Sequence, residues 1–496
     1  MYKAIERFLY SPSYSILISI YPFLQLYATN LGQVGYRTVV VLVLIALACG
    51  LSIYMVLMRI CKNKATAGLA TSILLVSILY YGHMVNAIQS VGLSVPAVFS
   101  FLGWSFFTFF LIYLSFKLKA IDIRQNSPIL NLIVIIMLLF PIIKIGRYLA
   151  ANTIVFSPKT DHSRALHAPE KPDIYYIILD SYGRSDILKD DYGYDNSEFI
   201  QALESFGFYV AQCSQSNYHN TMLSLGSSLN MEYLPVLSDE FGPDKTDSFY
   251  LFKALDNSAV RRSLELSGYK TIAFETGFPW AEPSQTDLFF SPQYATPVDE
   301  FSILAIKTTL FRILDDLSII DLDTLRAERY RARSNLALSS FTELAATPGP
   351  KFVFMHLILP HPPYVFDAQG NPTRPDSISD QEGYPAQIAF VSAEILKGLE
   401  TLLAQSSNPP VIILQGDHGP FGAEIPKRHQ ILNAYYFPGR NNAIFYPNIS
   451  PVNTFRFVFN EYFDENYPIL EDLSYVSDLS AGYDFQLVPN TCAPNQ

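Results

Sequence analysis

Residues 172–184 read PDIYYIILDSYGR. A proline opens the stretch, an unbroken apolar and aromatic run follows from Ile174 to Leu179, and an acid, Asp180, closes it. A short run of this composition, bounded by turn-forming residues, reads as a strand buried on both faces. Two later stretches repeat the design. KFVFMHLILPH over 351–361 ends at His361, and PVIILQGDHG over 410–419 ends in Asp417 and His418 before its glycine. Ser197–Ser205, followed by Gly207, and Ser258–Ser267, followed by Gly268, have helical patterning, and the second leads into another strand at Tyr269–Phe274. Alternation of helix and strand predicts an α/β domain with a mainly parallel sheet covered on both sides. Such sheets bind ligands at the carboxyl ends of their strands, where Asp180, Glu275, His361, Asp417 and His418 fall.

The N-terminal third has a different character. Five apolar stretches, Tyr14–Leu31, Thr38–Met58, Ala67–Ala87, Val95–Phe116 and Pro128–Ile145, each approach the roughly 20 residues that cross a bilayer core. They predict an α-helical membrane bundle of about five spans. Lys3 and Arg7, then Arg59, Lys62 and Lys64, then Lys117, Lys119 and Arg124 flank alternate spans. The positive-inside rule puts these on the cytoplasmic side. An odd number of spans then places everything after Ile145 outside the cell membrane. The resulting division is a bundle over 1–147, a linker over 148–172, a catalytic domain over 173–483 and a tail over 484–496.

Composition narrows the function. Only 16% of the 496 residues are charged while half are hydrophobic, as a partly lipid-embedded chain requires. The net charge of −11 excludes a nucleic-acid partner, which needs a basic surface. The four cysteines form no CxxC pair, so a thiolate metal site is excluded. Cys213 and Cys492, far apart in sequence, could pair in an oxidising compartment, but two free buried thiols are the expected state.

Taken singly, an Asp after a strand is a helix cap or a turn residue. Several strands ending in carboxylate or imidazole need a cation to sit together. With the loop SNYHNTMLSLGSSLNM over 216–231, the pattern LDSYGR, LILPHPPY and LQGDHG resembles the sulfatase-like branch of the alkaline phosphatase superfamily. Together with the five spans, it looks most like membrane phosphoglycerol and phosphoethanolamine transferases of the lipoteichoic acid synthase type. The resemblance implies metal ligation by Asp180, Thr221, Asp417 and His418, with Thr221 as nucleophile and His361 contacting substrate. Cys213 is followed by Ser214, Gln215 and Ser216, so the CxPSR signature of formylglycine sulfatases is absent.

The chemistry agrees with that casting. A cation neutralises the oxygens of a phosphate or sulfate ester and activates a coordinated hydroxyl, and a helix N-terminus at Thr221 would add N–H donors facing the anion. One divalent ion, manganese or zinc, suits the oxygen-rich ligand set. Ser224, Ser227 and Ser228 are rival hydroxyls, and His219, Glu275 and His429 are secondary candidates. The expected function is transfer or hydrolysis of phosphoryl-linked head groups on a lipid or envelope-glycan substrate. A merely tethered sulfuric or phosphoric ester hydrolase, and a non-catalytic membrane assembly module, are the alternatives.

Overall fold

The computed structural model describes all residues except 1, 33, 153–162, 169, 236–253, 284, 478–482, 491 and 493–496. Most of the expected linker and part of the expected tail therefore lie outside the described residues. The chain forms two compact units, one comprising 1–154 with 296–326, the other 155–295 with 327–496.

In the first unit, four helices are long and apolar enough to cross a membrane: α4 (Tyr36–Cys61), α5 (Lys64–Ser90), α6 (Ala97–Lys117) and α7 (Ala120–Asn152). They follow α1 (Tyr2–Leu9), α2 (Tyr14–Leu17) and α3 (Tyr21–Thr29). The first expected span, Tyr14–Leu31, is thus broken into α2 and α3, with Pro22 in the first turn of α3. The broken stretch still runs the length of the bundle. Pro12 lies against Gly68, near the start of α5, so closely that any Cβ there would collide with it. Ser19 lies against Gly50, and Tyr27 packs with Val39 near the start of α4.

A break at membrane depth frees backbone carbonyls that must find donors. Buried Asn131 of α7 serves the connection between α1 and α2, its Nδ2 donating to Leu9 O and Ser11 O at 2.8 Å each. Ser15 Oγ donates to Pro12 O at 2.6 Å and Ser19 Oγ to Ile16 O at 2.7 Å. Asn131→Leu is expected to cost about 2 kcal/mol, since each orphaned carbonyl loses about 1–3 kcal/mol. The check is a lowered midpoint of thermal unfolding in detergent micelles.

Thr296–Arg326 belongs to the helical unit although it follows strands of the other one in sequence. It carries the short helices Glu300–Thr308 and Arg312–Asp316 and acts as a strap on the bundle. Thr38 Oγ1 donates to Asp299, and Leu310 N donates to Ile78 O at 2.6 Å. The Arg312 guanidinium donates to Asn86, and Phe301 joins Tyr27 and Val39 in one apolar cluster. The close approach requires Gly82, because a Cβ there would collide with the backbone of Lys307 and Thr308.

The second unit is built on a seven-stranded sheet. Its strands are β1 (Ile174–Leu179), β2 (Tyr209–Val210), β3 (Lys270–Phe274), β4 (Leu288–Phe290), β5 (Lys351–Leu357), β6 (Val411–Gly416) and β7 (Asn433–Tyr436), in the order β2-β7-β6-β1-β5-β3-β4. β1 pairs in parallel with β5 and β6 at the centre, and only β7 runs against its neighbours. Tyr175, Ile177 and Leu179 enter one apolar core while Ile174, Tyr176 and Ile178 enter another, so both faces of β1 are covered. This is the mainly parallel α/β architecture that the apolar strand runs predict.

Two features depart from expectation. Gln486–Val488, within the expected tail, pairs antiparallel with Ser474–Val476. Cys213 and Cys492, expected as free thiols, form a disulfide with Cα atoms 5.4 Å apart.

Candidate metal centre and nucleophile

Strand register brings the acids together. Leu179 is opposite Gly416, so Asp180 and Asp417 each stand one residue past their strand ends at the same level. Both are buried. Asp417 Oδ1 accepts from the backbone N–H groups of Ser181 (3.0 Å) and His418 (2.9 Å), while buried Oδ2 makes no hydrogen bond. His418 Nε2 stands 3.7 Å from Asp180 Oδ1 and 3.6 Å from Asp417 Oδ2. Its Nδ1 lies 2.8 Å from Gly419 O, which orients the ring.

The structure adds His356, a residue of β5 that sequence reasoning passed over. It pairs in register with Ile178, and its Nε2 lies 3.4 Å from Asp180 Oδ2. Ligand atoms of Asp180, His356 and Asp417 all fall within 4.8 Å of one another. The sequence carries one sign of it: an imidazole inside the buried apolar run Phe352–Leu357.

Beyond α8 (Ser185–Tyr192) and α9 (Ser197–Ser205), Thr221 opens the helix α10 (Thr221–Ser228). Capping is done by its neighbour, since Asn220 Oδ1 accepts from Leu223 N at 3.1 Å. That leaves the Thr221 hydroxyl facing the acids, 3.4 Å from His418 Nε2. The rival serines are otherwise engaged or enclosed. Ser227 Oγ donates to Glu232 O at 2.7 Å, Ser228 Oγ lies 3.1 Å from Tyr176 OH, and Ser224 is buried beneath the helix.

His361 stands beyond the end of β5, in a loop rather than on the strand. Its backbone N–H donates to Asp180 O at 3.1 Å, and its half-buried ring is 6.5 Å from that of His418. Arg428, also passed over in sequence, is half-buried, lies over the Phe421 ring and donates to His219 O at 2.9 Å. Glu275 is not drawn into the cluster. It accepts from Tyr294 OH at 2.5 Å and lies 3.9 Å from the Arg333 guanidinium, serving the β3–β4 edge.

Burial would raise the Asp180 carboxyl, but His361, His356 and His418 outweigh it and hold it below the usual carboxylate range. Burial would lower His356, but Asp180 and Asp417 outweigh it and raise the imidazole. The groups therefore compensate one another's charge. Two buried carboxylates and two imidazoles, with one carboxylate oxygen left without a donor, fit a divalent cation.

Ser181, between Asp180 and the rest of the loop, has φ +67°, which a non-glycine residue adopts at a cost of about 1–3 kcal/mol. Its N–H bond to Asp417 holds that conformation.

His429 is buried, with Nε2 3.1 Å from Tyr475 O. Burial, with His219 and His418 nearby, pulls it down to about 4. The unfolded chain then takes up a proton first as pH falls below about 6.5, so stability is full above that and declines toward pH 4. Between pH 7.5 and pH 5 the parent is expected to lose about 2 kcal/mol from this group. In His429→Gln the fall in thermal midpoint over that interval should shrink.

No known family pattern matches the chain, and no curated protein matches it. Solved structures do. The C-terminal periplasmic domain of EptC from Escherichia coli is similar at 13% identity and TM-score 0.44, covering 66% of this chain and 96% of that one. The integral membrane lipooligosaccharide phosphoethanolamine transferase A from Neisseria meningitidis is similar at 12% identity and TM-score 0.38, covering 86% and 89%. A putative sulfatase from Bacteroides thetaiotaomicron is similar at 11% identity and TM-score 0.39, covering 62% and 78%.

Proposed function

We propose that the chain is a membrane-anchored, metal-dependent transferase or hydrolase of phosphoryl-linked head groups on lipid or envelope-glycan esters, with Thr221 as nucleophile. The observation that carries this reading is the Thr221 hydroxyl, free of capping duty, 3.4 Å from His418 beside the buried Asp180–Asp417 pair. Asp180, His356, Asp417 and His418 would hold the ion, zinc or manganese by their oxygen and nitrogen donors. When bound, the ion supplies neutralisation of the ester oxygens and a lowered hydroxyl pKa.

The chain's own groups do the rest. Thr221 Oγ attacks phosphorus as its proton passes to solvent water. The Oγ–P bond forms as the bond to the leaving alcohol breaks, and that alcohol takes up a proton, for which the half-buried imidazole of His361 is the candidate donor. Arg428 and the N–H groups at the start of α10 attract the ester's charge. Water or an acceptor hydroxyl then attacks phosphorus and gives its proton to His361, as the Oγ–P bond breaks and Thr221 Oγ takes back a proton from solvent water.

Two observations support an extracytoplasmic site. A disulfide between Cys213 and Cys492 suits an oxidising compartment. The strap, continuous in sequence with β4, reaches from Ile78, midway along α5, to Thr38 and Asn86, which lie at the bundle end away from the basic segments at Arg59–Lys64 and Lys117–Arg124.

The test is mass spectrometry of the purified protein after incubation with candidate phospholipids. A phosphoryl head-group mass on the peptide containing Thr221 is the expected result. Turnover with the mass on another residue would overturn the assignment.

A further inference from the structure

The broken first stretch leaves a cleft in the helical unit. It has a volume of about 560 Å³ and is lined by α3, α5, α7 and the strap. Pro22, Leu26 and Met137 form apolar wall, while His83, Thr308 and Thr309 supply polar groups. The size falls in the range of ligand sites, about 300–1,000 Å³. Irregular backbone at membrane depth persists only where protein buries it or where it lines a cavity, and discontinuous helices in membrane proteins characteristically flank ligand sites. Here the break lies at Ile18–Ile20, where Ser19 Oγ takes up Ile16 O, and α3, resuming at Tyr21, lines the cleft.

The strap is built to close this cleft. Gly82 removes the one Cβ that would hold Lys307–Thr308 off α5, and Leu310 N fixes the contact through Ile78 O. The Thr308 and Thr309 hydroxyls donate to Ala305 O and Ile306 O, at 2.9 and 3.0 Å, which leaves oxygen lone pairs to accept from a ligand. Around the strap, Lys307 pairs with Asp323 at 2.5 Å and Arg312 with Asp316 at 3.3 Å, a charged belt suited to the interface of a bilayer. Phe311 and Ile319, 58% and 65% exposed, lie among these charges as interfacial anchors would.

The geometry points to a phospholipid site in the helical unit, with an acyl chain against Leu26 and Met137 and the polar head at His83, Thr308 and Thr309. A lipid is the one occupant that matches an apolar wall inside a membrane bundle ending in hydroxyls at an interfacial belt. This inference rests on the membrane reading of the helices and not on the metal chemistry.

The full-length protein is reconstituted in phosphatidylcholine vesicles doped with a diacyl phospholipid that carries a diazirine in one acyl chain. After illumination, labelled peptides are mapped by mass spectrometry, with chelator present so that no turnover is needed. Label is expected on the peptides holding Tyr21–Thr29 and Lys307–Thr309. Thr308→Trp and Leu26→Trp, which fill the cleft from opposite walls, should each reduce it at least fivefold. Label at Phe106 and Phe140, 75% and 70% exposed on α6 and α7, reports the surrounding lipid and should not change. Gly82→Leu should lower the cleft signal by displacing the strap. Labelling confined to α6 and α7, or cleft labelling indifferent to both tryptophans, overturns the inference. Because the chelated protein is used, either outcome leaves the Thr221 reading to its own test.

Discussion

Thr221→Ala is expected to lower head-group release by at least three orders of magnitude while leaving the fold and the bound metal in place. A nucleophile cannot be replaced by its neighbours unless one of them reaches the same point, and here none does. Ser227 and Ser228 are engaged in hydrogen bonds nearly two turns further along the helix, and Ser224 is buried one turn on. Removal of a covalent nucleophile in hydrolases costs up to about 10⁶ in turnover, with residual rate from binding and electrostatics alone. The change is small structurally, because Asn220 keeps α10 capped and Thr221 contributes no other side-chain bond in the site than its contact with His418. Metal content by plasma mass spectrometry, thermal midpoint and turnover of a short-chain phospholipid should be measured on one preparation. Thr221→Ser should restore part of the rate, since it returns the hydroxyl with greater rotamer freedom. Full activity in Thr221→Ala would sink the assignment.

The parts of this protein legible in sequence are those in which one residue type does one job. An apolar run ending in an acid states both a buried strand and its ligand-bearing end, so Asp180, Asp417 and His418 could be picked out, and the sheet places the first two at one level. His356 stood out only as an imidazole in an apolar run, because on a strand covered on both faces the two-residue alternation that assigns a side chain to one face carries no polarity signal. Attention passed instead to His361, at the end of the run, which the structure sets in the loop beyond. The strap was not legible. Thr296–Arg326 has no long apolar run, and its docking depends on the missing Cβ of Gly82, more than 200 residues away in sequence. The disulfide depends on β-sheet edges meeting a tail that composition describes as loose. The break in the first span was half announced by Pro22, Gln25 and Asn30. What could not be read was that Asn131, a polar residue inside another span, takes up the carbonyls of Leu9 and Ser11 in the connection that leads into it.

Asp417→Asn separates a metal centre from a structural ion-pair cluster, because the two predict opposite changes in stability. If Asp417 serves chiefly to balance His356 and His418, neutralising it breaks a buried pair and should cost about 3–5 kcal/mol. If it serves a cation, the metal-free protein carries two neighbouring buried acids that the cation would offset. Asparagine keeps the Oδ1 that accepts from Ser181 N and His418 N and puts a neutral amide where Oδ2 lacks a donor. Stability without metal is then expected to hold, or to rise by about 1 kcal/mol. The parent should gain stability on adding zinc or manganese, by about 2.7 kcal/mol at a hundredfold excess over Kd. The Asp417→Asn substitution should abolish most of that gain and reduce turnover at least a hundredfold. His356→Ala should weaken metal retention as well, and a chelator should bring the parent to the variants' level of activity. Thermal midpoints of parent and both variants, with and without each ion, decide the matter. A large metal-free loss in Asp417→Asn, with undiminished stabilisation by the ion, would remove Asp417 from the ligand set and with it the proposed activation of Thr221.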